Sequence, residues 1–264
     1  VPSTSEGQEP GAPDREHAAE GEKIEETDHF EFYAPDGEFP AAVPDLPERA
    51  ETIFGEVSAR LGPLAEEQRD IRVTFRPPSL MPCPPRGLAG GRPPRVFIYA
   101  DNETSREQIL GVLAHELGHV LIMGRFREIP RALNEGLATW ASAPYFNRWQ
   151  EIPSFDAAVR SYVQDSTYLP LHNNYYLTEV DPGTEGSSES CISRRETLYI
   201  EWASFLDYII EQRGMEKLEE LIETVPDAER TEGGFTVLPA DFEAVYGGSL
   251  NQLEAAWLRH ILDQ

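Results

Sequence analysis

Two histidines one helical turn apart constrain this chain more than any other feature. His115-Glu116-Leu117-Gly118-His119 lies within residues 110–123, where Leu110, Leu113, Leu117 and Val120 or Leu121 recur at helical spacing. Ser105 with Gln108 makes a capping box ahead of that stretch, and Gly124 offers a stop behind it. Positions i and i+4 of a helix stand one above the other, so both imidazoles project from one face. Core packing has no use for such a pair beside a glutamate, whereas two imidazoles converging on a point suit a tetrahedral Zn²⁺. Glu116 stands one step around the helix, where its carboxylate reaches an attacking water without ligating the ion, as a general base must. A catalytic zinc takes three protein ligands and keeps one position open. The best candidate for the third is Glu135, sixteen residues past His119 on a second predicted helix, in the run Asn134-Glu135-Gly136-Leu137-Ala138.

The histidine motif followed by Asn134-Glu135-Gly136 resembles the gluzincin metallopeptidases, and its short spacing is most similar to the peptidase MA-like proteins of bacteria. The resemblance implies a zincin-like fold, one catalytic Zn²⁺ held by His115, His119 and Glu135, Glu116 as the base, and a peptide or protein substrate. Metzincins are a poorer match, because Ile122 and Arg125 stand where they carry a glycine and a third histidine. The helix of Glu135 is also nearer than in thermolysin-like and aminopeptidase-like proteins, so those are weaker templates for substrate binding.

Zinc peptide hydrolysis also needs a donor to the oxyanion. Tyr199 lies off the apolar stripe Leu198, Trp202, Phe205, Ile209 of a helix that Ser193 and Glu196 cap and that ends before Gly214. The run from Tyr199 to Phe205 is similar to the peptidase MA-like pattern of a tyrosine followed five residues later by serine and an aromatic or apolar residue. That resemblance implies a Tyr199 hydroxyl aimed at the oxyanion; a tyrosine packed at the helix edge is the plainer reading. His172, in the polar aromatic loop 168–176, is the rival and a candidate for subsite contacts. Thr139, one turn beyond Glu135, is a candidate support for a ligand.

A net charge of −25 and a pI near 4.5 argue against nucleic acid and against an anionic membrane surface as partners. Solubility explains such charge more simply than an acidic docking site does. No apolar run reaches the roughly 20 residues that span a bilayer, so no integral membrane segment is expected. The start at Val1-Pro2 suggests a processed product, leaving room for a lost leader or N-terminal anchor. An extracytoplasmic, secreted or surface-tethered location follows as an expectation. Cys83 and Cys191 permit one disulfide, whose loop of about 100 residues would stabilise by several kcal/mol in the chain-entropy model; two unpaired thiols are the alternative.

Residues 1–27 are rich in Glu, Pro, Gly, Ser and Ala and read as a disordered acidic spacer; residues 28–264 read as the catalytic domain. Within it, 28–143 hold a sheet and the zinc helices, and 144–264 form a mainly helical subdomain. Strands are expected at 29–33, 71–75 and 95–100, helices at 46–61, 215–224 and 249–262, and a long Pro/Gly-rich loop at 77–94 lining the cleft rim. The fold class is therefore α+β, a small mixed sheet backing the zinc helix. Residues 96–99 are open to two readings, an edge strand that pairs with extended peptide or an interior strand. The function expected is zinc-dependent peptide hydrolysis by a metal-activated water. The alternatives are a non-catalytic zinc-containing interaction or sensory module and a hydrolase of non-peptide amides.

Overall fold

The computed structural model describes residues 21–63, 70–78, 84–126, 129–173, 188–224 and 239–264, without the side chains of 188–191 and 239. It is a mixed α+β fold. Strands β1 (Glu22–Glu26), β2 (Phe30–Ala34), β3 (Ile71–Arg76), β4 (Gly87–Gly90) and β5 (Arg95–Tyr99) form one sheet in the order β1-β2-β3-β5-β4. The two central pairings, β2 with β3 and β3 with β5, are parallel, and the two outer ones are antiparallel.

Alternation in the sequence accounts for the inner strands. Phe30, Phe32 and Ala34 of β2, Ile71, Val73 and Phe75 of β3, and Val96 and Ile98 of β5 are all buried. Helix α1 (Leu46–Leu61) crosses over between β2 and β3, and Phe54 meets Phe30 edge-to-face with centroids 5.8 Å apart. Proline near its start and Gly62 at φ +91°, whose N–H bonds Ser58 O, set the bounds that the sequence indicated.

Two expectations for the sheet are corrected. The stretch 77–94 is not all loop, since it contains β4. Gly-Leu-Ala-Gly has no β-branched residue to announce a strand, and only its pairing with β5, from Gly87 opposite Ile98 to Gly90 opposite Arg95, makes it one. That pairing also decides between the two readings of 96–99. β5 is interior, and β4 is the edge. At the other edge, β1 falls inside the expected spacer; its charged residues are held by the ladder to β2, with Lys23 bridging to Glu31 at 2.9 Å and Ile24 packed on the core. Residues 1–20, and with them the rest of the spacer, lie outside the described residues, as do Cys83 and the Cys191 side chain and hence their expected bridge.

Helix α2 (Arg106–Arg125) starts where expected, with Ser105 Oγ accepting from Gln108 N, but runs through Gly124 to Arg125. The apolar repeat suggested one buried face. Instead nearly every residue from Ile109 to Ile122 is buried, because α1, β4, β5, α3 (Arg131–Ala141) and α4 (Ala143–Trp149) cover it from several sides. His115 and Glu116 are thus polar groups in an apolar interior.

The remaining helices are α5 (Phe155–Gln164), α6 (Ser188–Arg213), α7 (Met215–Thr224), α8 (Pro239–Tyr246) and α9 (Leu250–Leu262). α6 begins five residues before Ser193, so Ser193 and Glu196 are interior to it and make no cap. No Gly or Pro in 188–192 stops the helix from extending backward. Its stripe Leu198, Trp202, Phe205 and Ile209 is buried, and the Ser249–Gln252 capping box opens α9. Among the described residues no helix is long and apolar enough to cross a membrane.

Beneath α6 lies a buried polar network that positions the loop after α5. Glu254 of α9 accepts from the Tyr168 hydroxyl, from Leu171 N at 2.8 Å, and from His172 N and Nδ1 at 3.2 and 2.7 Å. His172 is thereby a tether to α9 and does not line the main cleft. Glu201 is fully buried; one oxygen accepts from Leu169 N at 2.9 Å and the other has no partner among the described residues. Burial, opposed by the Leu169 N–H and reinforced by the Glu254 charge, pushes its carboxyl from 4.5 to about 8. Between those values the folded chain keeps a proton that the unfolded chain releases, so this group's contribution to stability falls as pH rises through that window. Glu201→Gln is expected to raise the melting temperature at pH 8, with the gain shrinking toward pH 4.5; thermal melts across that range check it.

Candidate metal centre

The side chains of His115, His119 and Glu135 converge to a triangle. Nε2 of His115 and Nε2 of His119 are 3.1 Å apart, and each is 3.3 Å from Glu135 Oε2. Donors placed tetrahedrally at about 2.0–2.1 Å from one ion stand about 3.3 Å from each other. The triangle therefore fits a single small divalent cation. Among the described residues it is the one group of three or more such side chains close enough to hold a metal ion.

The outward-facing ring nitrogens support that orientation. His119 Nδ1 donates to Asn134 Oδ1 at 3.0 Å, and His115 Nδ1 lies 3.3 Å from Thr139 Oγ1. The Asn134 oxygen can only accept, so it favours the His119 tautomer that leaves the Nε2 lone pair pointing inward, and Thr139 holds the orientation of the His115 ring. Asn134, Glu135 and Thr139 all come from α3, so one helix supplies the third donor and the supports for the other two.

Close helix packing makes this possible. A Cβ on Gly118 would come 2.8 Å from Ala138 Cα, so α2 and α3 touch backbone to backbone beside the histidines. On the far side of α3, a Cβ on Gly136 would come 2.9 Å from Trp202 Cβ, which lets α6 approach equally closely. Gly118→Ala is expected to push α3 away, costing roughly 1–3 kcal/mol and moving Glu135 off the triangle. A lowered melting temperature together with weakened metal binding would check both parts.

Glu116 is 5 % exposed and is not a corner of the triangle. It is seated against β4, where a Cβ on Gly87 would come 2.6 Å from its Oε1. Burial pushes its carboxyl up to about 7, which suits a base working near neutrality. For the side chains alone, burial would keep His119 neutral, but the Glu135 carboxylate outweighs it and raises the imidazole to about 9. His115 is lowered by burial; Glu135 is held well below the usual carboxylate range because the two imidazoles outweigh its desolvation. The three groups thus favour one shared positive charge at their centre, the place a cation takes in exchange for a proton.

Tyr199, on the fourth turn of α6, lies with its ring nearly parallel to that of His115, centroids 5.6 Å apart. Burial and the nearby Glu135 carboxylate push its phenol well above 10, so it stays a hydrogen-bond donor. Of the residues singled out from the sequence, His115, Glu116, His119, Glu135 and Tyr199 line one cleft of about 250 Å³, whereas Thr139 and His172 are not part of its lining. Sequence reading missed Arg86, Arg131, Arg195 and Glu196, which share its walls. Arg195 and Glu196 had a signal, one turn or less before Tyr199 on the same helix; Arg86, in the stretch read as loop, had none. No protein-family model and no curated protein matches this chain. Its chemistry is read from these side chains.

Proposed function

We propose that this chain is a zinc-dependent peptidase of the gluzincin kind, with His115, His119 and Glu135 as ligands. The observation that carries the reading is the tetrahedral-edge spacing of three donors, 3.1–3.3 Å, beside a buried carboxylate that is not one of them. A purely structural zinc site has four protein ligands and no use for Glu116. Two imidazoles and one carboxylate leave a fourth position open, as catalytic zinc sites do, and suit zinc better than calcium or magnesium.

A Zn²⁺ held by His115, His119 and Glu135 would supply Lewis acidity toward a carbonyl oxygen and would lower the pKa of a water beside it. Glu116 accepts the proton of the attacking water and passes it to the departing amine. Tyr199 donates its hydroxyl to the oxyanion as the carbonyl becomes tetrahedral. β4, at the edge of the sheet beside α2, offers backbone groups for antiparallel pairing with an extended substrate, and Leu88 on it is 47 % exposed.

The test is a diverse peptide library incubated with the zinc-loaded protein and read by mass spectrometry. Cuts that a chelator abolishes and zinc restores support the reading; no cleavage with zinc confirmed bound overturns it. Tyr199→Phe is expected to lower kcat by roughly 10²–10³-fold, as for other oxyanion donors, with KM little changed. An unaltered kcat would return Tyr199 to a packing role against His115.

A further inference from the structure

The two edges of the sheet are built differently. β1 carries Glu22, Lys23, Glu25 and Glu26 and a register shift between Lys23 and Glu25, both of which discourage a further strand from adding. β4 has neither device. Its Gly-Leu-Ala-Gly holds no charge and no proline, and it pairs with β5 without a break in register. A Cβ on Gly90 would meet nothing within 4 Å, and Gly87, Leu88 and Ala89 line the cleft. Leu88 is one of three large apolar side chains left exposed among the described residues. An uncharged edge that presents a leucine to solvent is a liability unless a strand is received there.

The ladder fixes what such a strand would meet. Tyr99 N donates to Arg86 O at 3.0 Å across directly opposed positions, so Arg86, Leu88 and Gly90 turn their backbone groups toward β5. Gly87 and Ala89 therefore turn theirs to the open edge. Side chains alternate in the same way. Position 87 faces α2, where the absent Cβ leaves room for Glu116, so Leu88 projects from the opposite face of the sheet. There it ends a row across three strands, with Thr74 opposite Phe97 and Phe97 opposite Leu88. Thr74 is buried, Phe97 half-buried and Leu88 exposed. One more apolar side chain beside Leu88 would cover the end of that row.

Building on the peptidase reading above, we propose that Leu88 is a specificity-determining residue that selects an extended substrate with an apolar side chain opposite it. Antiparallel pairing runs the substrate from Gly90 toward Gly87. The substrate residue opposite Gly87 then abuts Glu116, and the residue before it in the substrate lies opposite Leu88. Gly87 and Ala89 supply backbone hydrogen bonds on either side, which any sequence can accept. The preference comes from Leu88, on the face of the sheet turned away from the metal helix.

The decisive probes are acetylated tripeptides ending in a hydroxamate, whose chelating end seats on zinc whether or not the protein cleaves peptides. Counting back from the hydroxamate, the first residue falls opposite Gly87, the second opposite Leu88 and the third opposite Ala89. The second residue is Leu, Val, Ser or Lys, and affinity for the zinc-loaded protein is read by calorimetry. Binding of the Leu and Val probes roughly fivefold tighter than the Ser probe is the expected result. Leu88→Ser should erase that gain and Leu88→Ile keep it. N-methylation of the first or third residue breaks a bond to β4 and should weaken binding; N-methylation of the second, whose N–H points away from β4, should not. Equal affinity of the Leu and Ser probes, or a loss on methylating the second residue and not its neighbours, overturns the proposal. Both comparisons use the unaltered protein, so they decide even if a variant fails to fold. Library peptides cut with no apolar preference at that position would also overturn it while leaving the peptidase reading in place. Probes that bind as expected while no library peptide is cut would remove the peptidase reading and leave β4 as a peptide-binding edge.

Discussion

Glu116→Gln should hold its metal with unchanged stoichiometry and lose roughly 10²–10⁴-fold in turnover, the span that general bases contribute. The amide is isosteric with the carboxylate, so it fits the same slot beside Gly87 and Val112, where space is already below a Cβ contact distance. Burial that pushes the acid up to about 7 also means that replacing it with a neutral group costs the fold little. What disappears is the proton acceptor. Metal content by elemental analysis, a melting curve and cleavage rates on one peptide separate these effects. Full turnover in the variant would take the base role from Glu116.

Glu135→Ala should release the metal on dialysis. Two imidazoles alone leave a tetrahedral ion with half its positions unfilled and no negative charge to offset its own. Loss of a supporting contact such as Asn134 to His119 costs 10–100-fold in affinity in comparable sites, so loss of a direct donor should exceed that. Tyr199 would also lose the carboxylate that helps keep its phenol protonated. Competition with a chromogenic chelator gives the affinity; zinc retained at one equivalent after dialysis would remove Glu135 from the ligand set.

Much of the site could be read from local periodicity. The i, i+4 spacing of His115 and His119 needs only that residues 106–125 be helical, and Ser105 and the apolar repeat ensured that. Glu135 could be nominated because it lies on the next helix, and α1, α7 and α9 carry their boundary signals in Pro47, Gly214 and Ser249. Ser193 misled, since a capping pattern within a longer helical stretch has no power to start a helix that nothing upstream stops. β4 was illegible for the converse reason. Gly87–Gly90 has no strand propensity and exists as a strand only because β5 offers it a ladder.

The sequence by itself determined which atoms can meet a cation, because helical spacing is a property of a few neighbouring residues. It also determined the inward alternation of β2 and β5 and the charge of −25. Only the tertiary structure decided how near those atoms come and what surrounds them. The 3.3 Å approach of Glu135 depends on Gly118 meeting Ala138 across two helices, and the base is seated by a glycine of an edge strand. Arg86 and Arg195 line one cleft from segments more than a hundred residues apart. Distances between remote segments are set by the packing of the whole core, and no local pattern encodes them.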